Sequence, residues 1–511
     1  MKRLMYMLTA LLGLGCFFCG FSSANSPEEP VIRTSSTDGW KIVEREFRPK
    51  FPLMHGSPMV FSPDMRHVVY PFYPSLPKLT IPNAMILDGV KQKQYDSVEN
   101  FIFSPDSKRF AYAAKLNGEE FVVLDGVEGP HYNSTILCIT FSPDSKHFVY
   151  TVNEPDGGLI VFDGKAKKHL GGLISDIVFS PDSQHWAYAI NEGGKVESNV
   201  VYLDGNKFLQ ADEVFLFGLK FSPDSRKLAI SYRNGKEQYV AFGVETFGPY
   251  ENVEYLSIQI SPDGERIAIP VTIGGKWFLI CGSEKYGPYE TLSRAMFSPD
   301  SKSLINWAEQ KKAGLPPSVS VFFNGEHLVT ANLMSDIQFS PDGKQYAFSY
   351  MKGWAKEGQS GLRHFLYVDG SSMDLGGYVS WYHYSSDSKR FAYTVRGTDG
   401  FRVIEDDKKG KPYHRIGSLA FSPDSKHLAY QAFDGQKTII VIDGQETFSF
   451  QGELERGIIF TEDNHLCGAA FFISPEIQAS LRKQPESIEA VSNFLQNLRL
   501  VLFDISPDTG N

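Results

Sequence analysis

Short apolar runs, each ended by a polar turn, recur along almost the whole chain. The most regular turn is Phe-Ser-Pro-Asp-Ser, first seen unchanged at residues 103–107. Related turns follow about every 40 residues, which is the length of a four-stranded propeller blade. Eleven units with this pattern begin at Phe61, Phe103, Phe141, Phe179, Phe221, Ile260, Phe297, Phe339, Tyr384, Phe421 and Phe460.

Each unit contains four short β-prone runs in a fixed order. The first run ends in the Pro-Asp turn, and the second usually carries alanine between larger side chains, as in Phe110-Ala111-Tyr112. A variable connection leads to a third run that ends in Asp-Gly, as at Asp125-Gly126, and a fourth run follows. Proline presets the first corner of a type I turn, and Asp-Gly is a strong hairpin signal. The unit therefore predicts an antiparallel four-stranded blade.

The iterated pattern Phe-Ser-Pro-Asp-Ser/Gly-Lys/Arg-x-x-Ala-Tyr resembles the WD40-like Pro-Asp β-propeller repeat of TolB-type propellers. The resemblance covers roughly residues 57–472. No unit carries the Trp-Asp or Gly-His signature of true WD40 repeats, and the chain ahead of the first unit is too short for a TolB-like α/β domain. The resemblance therefore implies the fold, and a role in the Tol envelope system does not follow from it.

Eleven blades exceed the four to eight of most single propellers. We expect two tandem propellers, over residues 39–257 with about five blades and 258–511 with about six, although a single large ring or another division stays open. Residues 475–498 have apolar side chains at helical spacing and predict a short C-terminal helix. The run at 39–47 alternates like a strand that completes the last blade; alternatively, residues 505–508 begin a twelfth unit.

The first 24 residues predict an export signal. A basic start and an apolar stretch precede Ser-Ser-Ala, which favours cleavage between Ala24 and Asn25. A second interpretation is a lipoprotein processed at Cys16, although the usual leucine three residues earlier is missing. Residues 25–38 are polar and predict a flexible leader. No later stretch has the length and hydropathy of a membrane span, so we expect a periplasmic or secreted protein, either soluble or held by a lipid tether.

Charge and cysteine content narrow the choice of ligands. The formal net charge is −10 and no long basic run occurs, which argues against nucleic acid or an anionic membrane surface as partner. Cys138, Cys281 and Cys467 lie beyond the signal at spacings that match no metal motif. We expect buried free thiols, no bound metal and no cofactor.

Catalysis has little support in the sequence. The turn aspartates recur at the same step of every unit, which indicates a structural role. No Gly-x-Ser-x-Gly elbow occurs, and His67, His147, His185 and His427 all lie beside the repeated turn, where they substitute for one another. We therefore expect no catalytic residues and no enzyme. The alternative is a propeller enzyme, such as a lactonase, glycosidase or peptidase, whose carboxylates converge on a channel mouth from several blades.

The expected function is that of a binding or scaffold module in the cell envelope. We call the face that carries the second-to-third and fourth-to-first connections of each blade the insertion face. The repeat is uneven there, and uneven loops either mark a binding surface or are tolerated insertions. Unit nine adds an unusual aromatic run, which either stacks on a sugar or a peptide or fills space between blades. The expected partner is an envelope protein or a glycan, and the candidate binding residues are Tyr73, Lys312, Trp354, Arg363, His364 and Trp381.

Overall fold

The strands form eleven antiparallel blades, which confirms the all-β propeller fold. The computed structural model describes residues 31–37, 39–47, 59–72, 82–175, 177–192, 199–310, 318–353, 355–356, 359–451, 453–454, 457–472 and 499–508. Among these residues the one helix is a 3-10 helix at Tyr255–Ser257. The C-terminal helix predicted at residues 475–498 and the signal at residues 1–24 lie outside the described residues, and the division into two tandem propellers is not confirmed.

The chain divides into two compact units. Unit 1 comprises Met1–Asn133 and Lys411–Asn511 and holds blades 1, 2, 10 and 11; unit 2 comprises Ser134–Gly410 and holds blades 3 to 9. The boundary predicted at residues 257/258 falls inside blade 6 of unit 2.

In unit 1, the four strands of blades 1, 2 and 10 pair in chain order, whereas blade 11 takes its fourth strand from the N-terminal part of the chain. Blade 1 comprises Val60–Phe61, Val68–Phe72, Ala84–Leu87 and Val90–Lys91, and blade 2 comprises Ser97–Phe103, Phe110–Leu116, Glu119–Leu124 and Val127–Glu128. Blade 10 comprises Arg415–Phe421, Leu428–Phe433, Thr438–Ile442 and Gln445–Phe450. Blade 11 comprises Glu453–Leu454 with Ile459–Phe460 as a split first strand, then Leu466–Phe472, Arg499–Pro507 and Trp40–Phe47.

Unit 2 repeats the same order. Blade 3 comprises Thr135–Phe141, Phe148–Glu154, Gly157–Phe162 and Lys165–Ile174. The end of Lys165–Ile174 continues into blade 4, where it forms a split first strand with Val178–Phe179. The other strands of blade 4 are Trp186–Glu192, Asn199–Leu203 and Asn206–Ala211. Blade 5 comprises Glu213–Phe221, Leu228–Asn234, Glu237–Phe242 and Glu245–Tyr250, and blade 6 comprises Asn252–Val253 with Gln259–Ile260, then Ile267–Ile273, Lys276–Cys281 and Glu284–Tyr289. Blade 7 comprises Thr291–Phe297, Leu304–Gln310, Ser318–Phe323 and Glu326–Ala331. Blade 8 comprises Leu333–Met334 with Gln338–Phe339 as a split first strand, then Tyr346–Lys352, Arg363–Val368 and Ser371–Asp374. A small hairpin of Ala355–Lys356 and Gln359–Ser360 lies between its second and third strands. Blade 9 comprises Val379–Tyr384, Phe391–Gly397, Gly400–Glu405 and Lys408–Lys409.

Blade 11 is completed by a strand from the N-terminal part of the chain. Trp40–Phe47 pairs with Arg499–Pro507, from Trp40↔Pro507 to Phe47↔Leu500. Trp40 and Ile42 are buried against blade 10, where they join a cluster with Ile440. This confirms the predicted closing strand, and residues 505–507 end a strand and do not begin a twelfth unit.

A fifth strand, Val31–Thr37, pairs with the outer edge of the closing strand. The sequence placed these residues in a flexible leader, and that prediction is wrong for Val31–Thr37. Its polar residues include β-branched threonines beside Val31 and Ile32, and such residues suit a strand wherever a neighbouring edge offers unpaired backbone groups.

The core lies between neighbouring blades. In unit 1, Val69 and Met85 of blade 1 pack with Val98 and Phe121 of blade 2. In unit 2, clusters of the same kind join blades 4 and 5, 5 and 6, and 7 and 8. A fully buried side chain of this size contributes about 1.5–3 kcal/mol to folding. The apolar side chains on the blade faces thus pack against neighbouring blades, and the connections and the strand edges remain for binding.

The Pro-Asp turn is held by its own serine and aspartate. In blade 2 the Ser104 hydroxyl donates to Asp106 Oδ1 at 2.6 Å and accepts from Arg109 N at 2.9 Å. Lys108 N donates to the same Asp106 Oδ1 at 3.2 Å. Equivalent bonds recur in blades 3, 4 and 10. The turn aspartate therefore has the local, structural hydrogen bonds that the sequence predicts for it.

Candidate functional site

Acidic residues in the fourth-to-first connections of the insertion face support the neighbouring hairpins. The Asp96 carboxylate accepts a hydrogen bond from Asn117 N at 2.7 Å, and Asp212 accepts one from Gly235 N at 2.6 Å. Glu251 makes two such bonds, to the backbone amides of residues 274 and 275, at 2.8 and 3.1 Å. Each carboxylate fastens the second-to-third hairpin of the blade that it introduces. These repeated acids are thereby part of the fold.

The connection from blade 8 to blade 9 is built differently. Gly376 N donates to Asp374 Oδ1 at 3.1 Å, and a Cβ on Gly377 would lie 1.8 Å from the carbonyl oxygen of Arg396. Arg396 N in turn donates to Tyr378 O at 2.9 Å. Only glycine permits this approach of the two backbones, and the approach fixes the position of Tyr378. The Tyr378 side chain is 48% exposed.

The Tyr378 ring is supported by His364 from the third strand of blade 8. The two ring centroids are 5.3 Å apart with an interplanar angle of 89°, an edge-to-face contact. The preceding residue, Arg363, forms an ion pair with Asp374, and its guanidinium lies 5.9 Å from the ring centroid of Phe365. The carboxylate of Asp374 thus compensates the positive charge of Arg363, the residue next to His364.

Trp381 lies in the first strand of blade 9, where the pairing register slips between Val379 and Tyr382. Its backbone N–H donates to Thr394 Oγ1 at 3.0 Å, which holds the bulge, and its side chain is 41% exposed. Tyr378 directly precedes this strand, three residues before Trp381. We call His364, Tyr378 and Trp381 the aromatic patch.

The structure places two predicted binding residues, Arg363 and His364, in the third strand of blade 8, and a third, Trp381, in the first strand of blade 9. The other three, Tyr73, Lys312 and Trp354, lie outside the described residues. Sequence reasoning missed Tyr378, whose signal is the Gly-Gly-Tyr sequence directly before the aromatic run of unit nine. Exposed aromatic faces beside a histidine and an arginine suit stacking and hydrogen bonding to a sugar or a side chain.

The histidines beside the Pro-Asp turns are paired on the opposite face. His67 Nδ1 lies 2.6 Å from Asp88 Oδ2, and this hydrogen bond raises the pKa of His67. The same pairing, at 2.7 Å, joins the turn histidine to the aspartate of the Asp-Gly turn in blades 3, 4 and 10. Across the part of the chain that the structure describes, no group of three or more His, Cys, Asp and Glu residues could hold a metal ion.

A second cluster of charged groups lies between blades 11 and 1. Arg66 Nε donates to Asp504 Oδ2 at 3.1 Å, and an Nη of Arg66 lies 3.0 Å from His465 Nδ1. His465 Nδ1 is also 2.8 Å from Asp504 Oδ1. These contacts engage Arg66, His465 and Asp504 with one another, so the cluster joins the two blades.

The three cysteines beyond the signal are free thiols. Cys281 and Cys467 are buried as predicted, whereas Cys138 is only half-buried. Burial raises the pKa of Cys281, and it raises the pKa of Cys467 to about 12. The two buried thiols therefore stay protonated at neutral pH. Among the residues placed by the structure, no helix combines the length and the hydropathy needed to cross a bilayer.

Comparison with known proteins finds similarity to solved structures alone, at low TM-scores. No protein family and no curated protein matches the chain. Among solved structures, it is similar to hydrazine synthase of Kuenenia stuttgartiensis, with 14% identity, a TM-score of 0.25, and coverage of 60% of this chain and 95% of that one. The β-propeller domain of the trilobed protease from Pyrococcus furiosus has 11% identity, a TM-score of 0.26 and coverage of 54% and 94%. The tricorn protease has 9% identity, a TM-score of 0.27 and coverage of 90% and 61%.

Proposed function

We propose that this chain is a non-catalytic binding or scaffold module that engages an envelope protein or a glycan through the aromatic patch. The observation that carries the proposal is the exposure of Tyr378 and Trp381, at 48% and 41%, on a backbone held by Gly377 and Thr394. Rigid exposed aromatic side chains are typical anchors of binding surfaces because they bury a large area at low entropic cost.

A binding role is favoured over catalysis by what the polar groups do. The acids of the insertion face fasten hairpins, and the turn histidines pair with turn aspartates. General acid–base chemistry needs groups within hydrogen-bonding reach of a substrate, and these groups are engaged by the fold. The Arg363–Asp374 ion pair compensates the charge of Arg363, which suits a neutral glycan or an apolar stretch of a protein.

We further propose that the mature chain acts outside the cytoplasm, because its first 24 residues have the features of an export signal. Amino-terminal sequencing of the protein from fractionated cells tests this. A mature start at Asn25 supports export with cleavage after Ala24. A lipidated start at Cys16 supports the tethered form, and an uncleaved Met1 in the cytoplasm contradicts both.

The aromatic patch is tested with a double variant, Tyr378→Ala/Trp381→Ala, in crosslinked pull-downs from envelope extract and on a glycan array. Phe208→Ala is the matched control, since Phe208 is an aromatic residue of unit 2 with the same 48% exposure but lies in the fourth strand of blade 4. Circular dichroism first establishes that all three proteins fold alike.

We expect one partner, captured by the wild type and the Phe208 variant, to be lost at least tenfold in the double variant. A protein in the pull-down or a glycan on the array identifies the partner class. Equal capture by all three proteins would exclude the aromatic patch as the binding surface.

A further inference from the structure

The first strands of blades 5 and 6 are both interrupted, and the interruptions touch. In blade 5, pairing with the second strand passes from Val214↔Tyr232 to Leu219↔Ile230, so residues 215–218 leave the ladder. In blade 6, the 3-10 helix Tyr255–Ser257 separates Asn252–Val253 from Gln259–Ile260 and contacts the first strand of blade 5. Such bulges commonly redirect side chains near functional sites.

These interruptions build a flat apolar surface. The rings of Phe215 and Tyr255 stack at 4.9 Å between centroids with an interplanar angle of 8°. Next to them Leu256 is 65% exposed. The bulge is tight, because a Cβ on Gly218 would lie 2.8 Å from Phe215 O. A side chain at residue 218 would therefore displace Phe215 from the stack.

The surface is next to the ammonium group of Lys220. Lys220 Nζ donates to Ile258 O at 3.2 Å, which uses one of its three donors. Among the described residues no carboxylate forms an ion pair with Lys220, and burial alone lowers the pKa of its ammonium group, although the side chain is open to solvent. An uncompensated ammonium there favours an anion.

The lysine is not a requirement of the repeat. The equivalent position, directly before the last residue of the first strand, holds Ile102 in blade 2, Met296 in blade 7, and glutamine at Gln259 and Gln338 in blades 6 and 8. Blade packing is thus achieved with uncharged residues elsewhere, and the charge in blade 5 needs another reason.

The bulge of blade 5 also lacks the hydroxyl bond that holds other bulges. In blade 3, Thr151 Oγ1 accepts from Cys138 N at 3.2 Å, and in blade 9, Thr394 Oγ1 accepts from Trp381 N at 3.0 Å. Ser231 is the corresponding residue of blade 5; it is 1% exposed, and its hydroxyl has no hydrogen-bond partner among the described residues. A buried hydroxyl without a partner is costly, so this bulge departs from the repeat at the expense of stability.

We propose that Phe215, Lys220, Tyr255 and Leu256 form a binding site for a small aromatic carboxylate. The ring of the ligand would pack against the Phe215–Tyr255 stack and Leu256, and its carboxylate would take the free donors of Lys220. The site belongs to the inner edges of blades 5 and 6 and is independent of the aromatic patch.

Isothermal titration calorimetry with 2-naphthoate and with its neutral analogue 2-naphthamide tests this site on the mature chain. Lys220→Gln removes the charge and introduces the residue that blades 6 and 8 carry at this position. Tyr255→Ala removes half of the stack. Lys236→Gln is the matched control, since Lys236 is an exposed lysine in the second-to-third hairpin of the same blade. Thermal melts establish that each variant is folded.

We expect saturable binding of naphthoate that Lys220→Gln weakens about tenfold, in line with the value of a charged hydrogen bond. The same variant should change naphthamide binding less than about twofold, since it alters only the charge. Tyr255→Ala should weaken both ligands and Lys236→Gln neither. Absence of saturable binding at millimolar naphthoate, or equal naphthoate affinity in wild type and Lys220→Gln, would overturn the proposal.

Discussion

The hydroxyl of Ser107 accepts a hydrogen bond from the backbone amide of Asp64 at 3.1 Å, and this bond joins the Pro-Asp turn of blade 1 to that of blade 2. Ser107 has a φ of 62°, in the left-handed region that costs a residue with a Cβ roughly 1–2 kcal/mol. The fifth turn position therefore holds a strained serine whose side chain links adjacent blades. The same link occurs at Asp144–Ser183, Asp182–Ser225, Asp263–Ser301 and Asp342–Ser388.

The first prediction concerns this link. In Ser183→Ala the left-handed backbone keeps its strain and the amide of Asp144 loses its partner at 3.0 Å. We expect a loss of about 1–2 kcal/mol in the free energy of unfolding, measured by urea denaturation. Ser183→Gly loses the same bond but relieves the strain, so it should cost less than Ser183→Ala. A Ser183→Ala variant as stable as wild type would mean that the link contributes nothing.

The second prediction concerns the blades in which glycine replaces this serine. A Cβ on Gly264, at φ +72°, would lie 2.1 Å from Asp224 Oδ1 of the preceding turn. Gly264→Ala should therefore lower the free energy of unfolding by about 2 kcal/mol or more, from overpacking and strain together. Gly126→Ala is the control, since Gly126 has a φ of +80° and no atom within 4 Å of the added Cβ. Equal losses in both variants would assign the effect to backbone strain alone.

The third prediction is a pH dependence from His67. Its pKa is raised mainly by the hydrogen bond to Asp88, with Asp64 adding to the rise and burial and Arg45 opposing it. A raised pKa in the folded state contributes stability that is complete below the unfolded value of about 6.5 and is lost as the pH rises through the folded value. His67→Gln keeps a donor, as Gln345 does towards Asp369 Oδ2 at 2.9 Å in blade 8.

We therefore expect the stability difference between wild type and His67→Gln to shrink as the pH rises from about 5.5 to 8. Urea midpoints across that range measure it. A difference that stays constant with pH would contradict a charged His67 in the folded protein.

The fourth prediction concerns the closing strand. Deleting residues 25–47 from the mature chain removes Trp40 and Ile42 from the core and bares the edge of Arg499–Pro507. Bare strand edges pair with other chains, so we expect oligomers or aggregates in size-exclusion chromatography with light scattering. Deleting residues 25–37 alone removes only the outermost strand and should leave the size of the protein unchanged. Identical profiles for the two deletions would contradict this role of the closing strand.

The fifth prediction concerns thiol reactivity. Burial raises the pKa of the Cys467 and Cys281 thiols, whereas Cys138 is half-buried. Because the thiolate is the reactive form, Ellman's reagent should modify Cys138 first in the native mature chain. Cys138→Ser should remove the fast phase and Cys467→Ser should leave it unchanged. A fast phase that survives Cys138→Ser would show that a buried thiol becomes accessible.

Much of the fold can be predicted from the sequence because the same local signals recur eleven times. Proline and aspartate in the turns, and alternation in the runs, act over a few residues, so the order of strands follows from them directly. The closing strand was predictable for the same reason, since the last unit visibly lacks a fourth run. The strand at Val31–Thr37 was not, because its polar composition resembles a leader until a partner edge is present.

The sites are less predictable, because they depend on where two distant segments meet. Tyr378 is exposed where the backbone of Gly377 approaches Arg396 O, and no local sequence pattern predicts that approach. The bulge of blade 5 likewise has an apolar sequence that looks like an uninterrupted strand. Arg363, His364 and Trp381 could be found only as departures from the repeat.

The pairing of Trp40 with Pro507 also determines the order in which the molecule can be finished. During synthesis the closing strand emerges before blades 1 to 10, yet its partner strand emerges after them. Blades 1 to 10 can each pair their strands as these are synthesised, whereas blade 11 stays incomplete until its third strand, Arg499–Pro507, has been synthesised. The closing strand therefore stays without its partner until residues 499–507 have been synthesised, and its docking is a long-range event that completes blade 11.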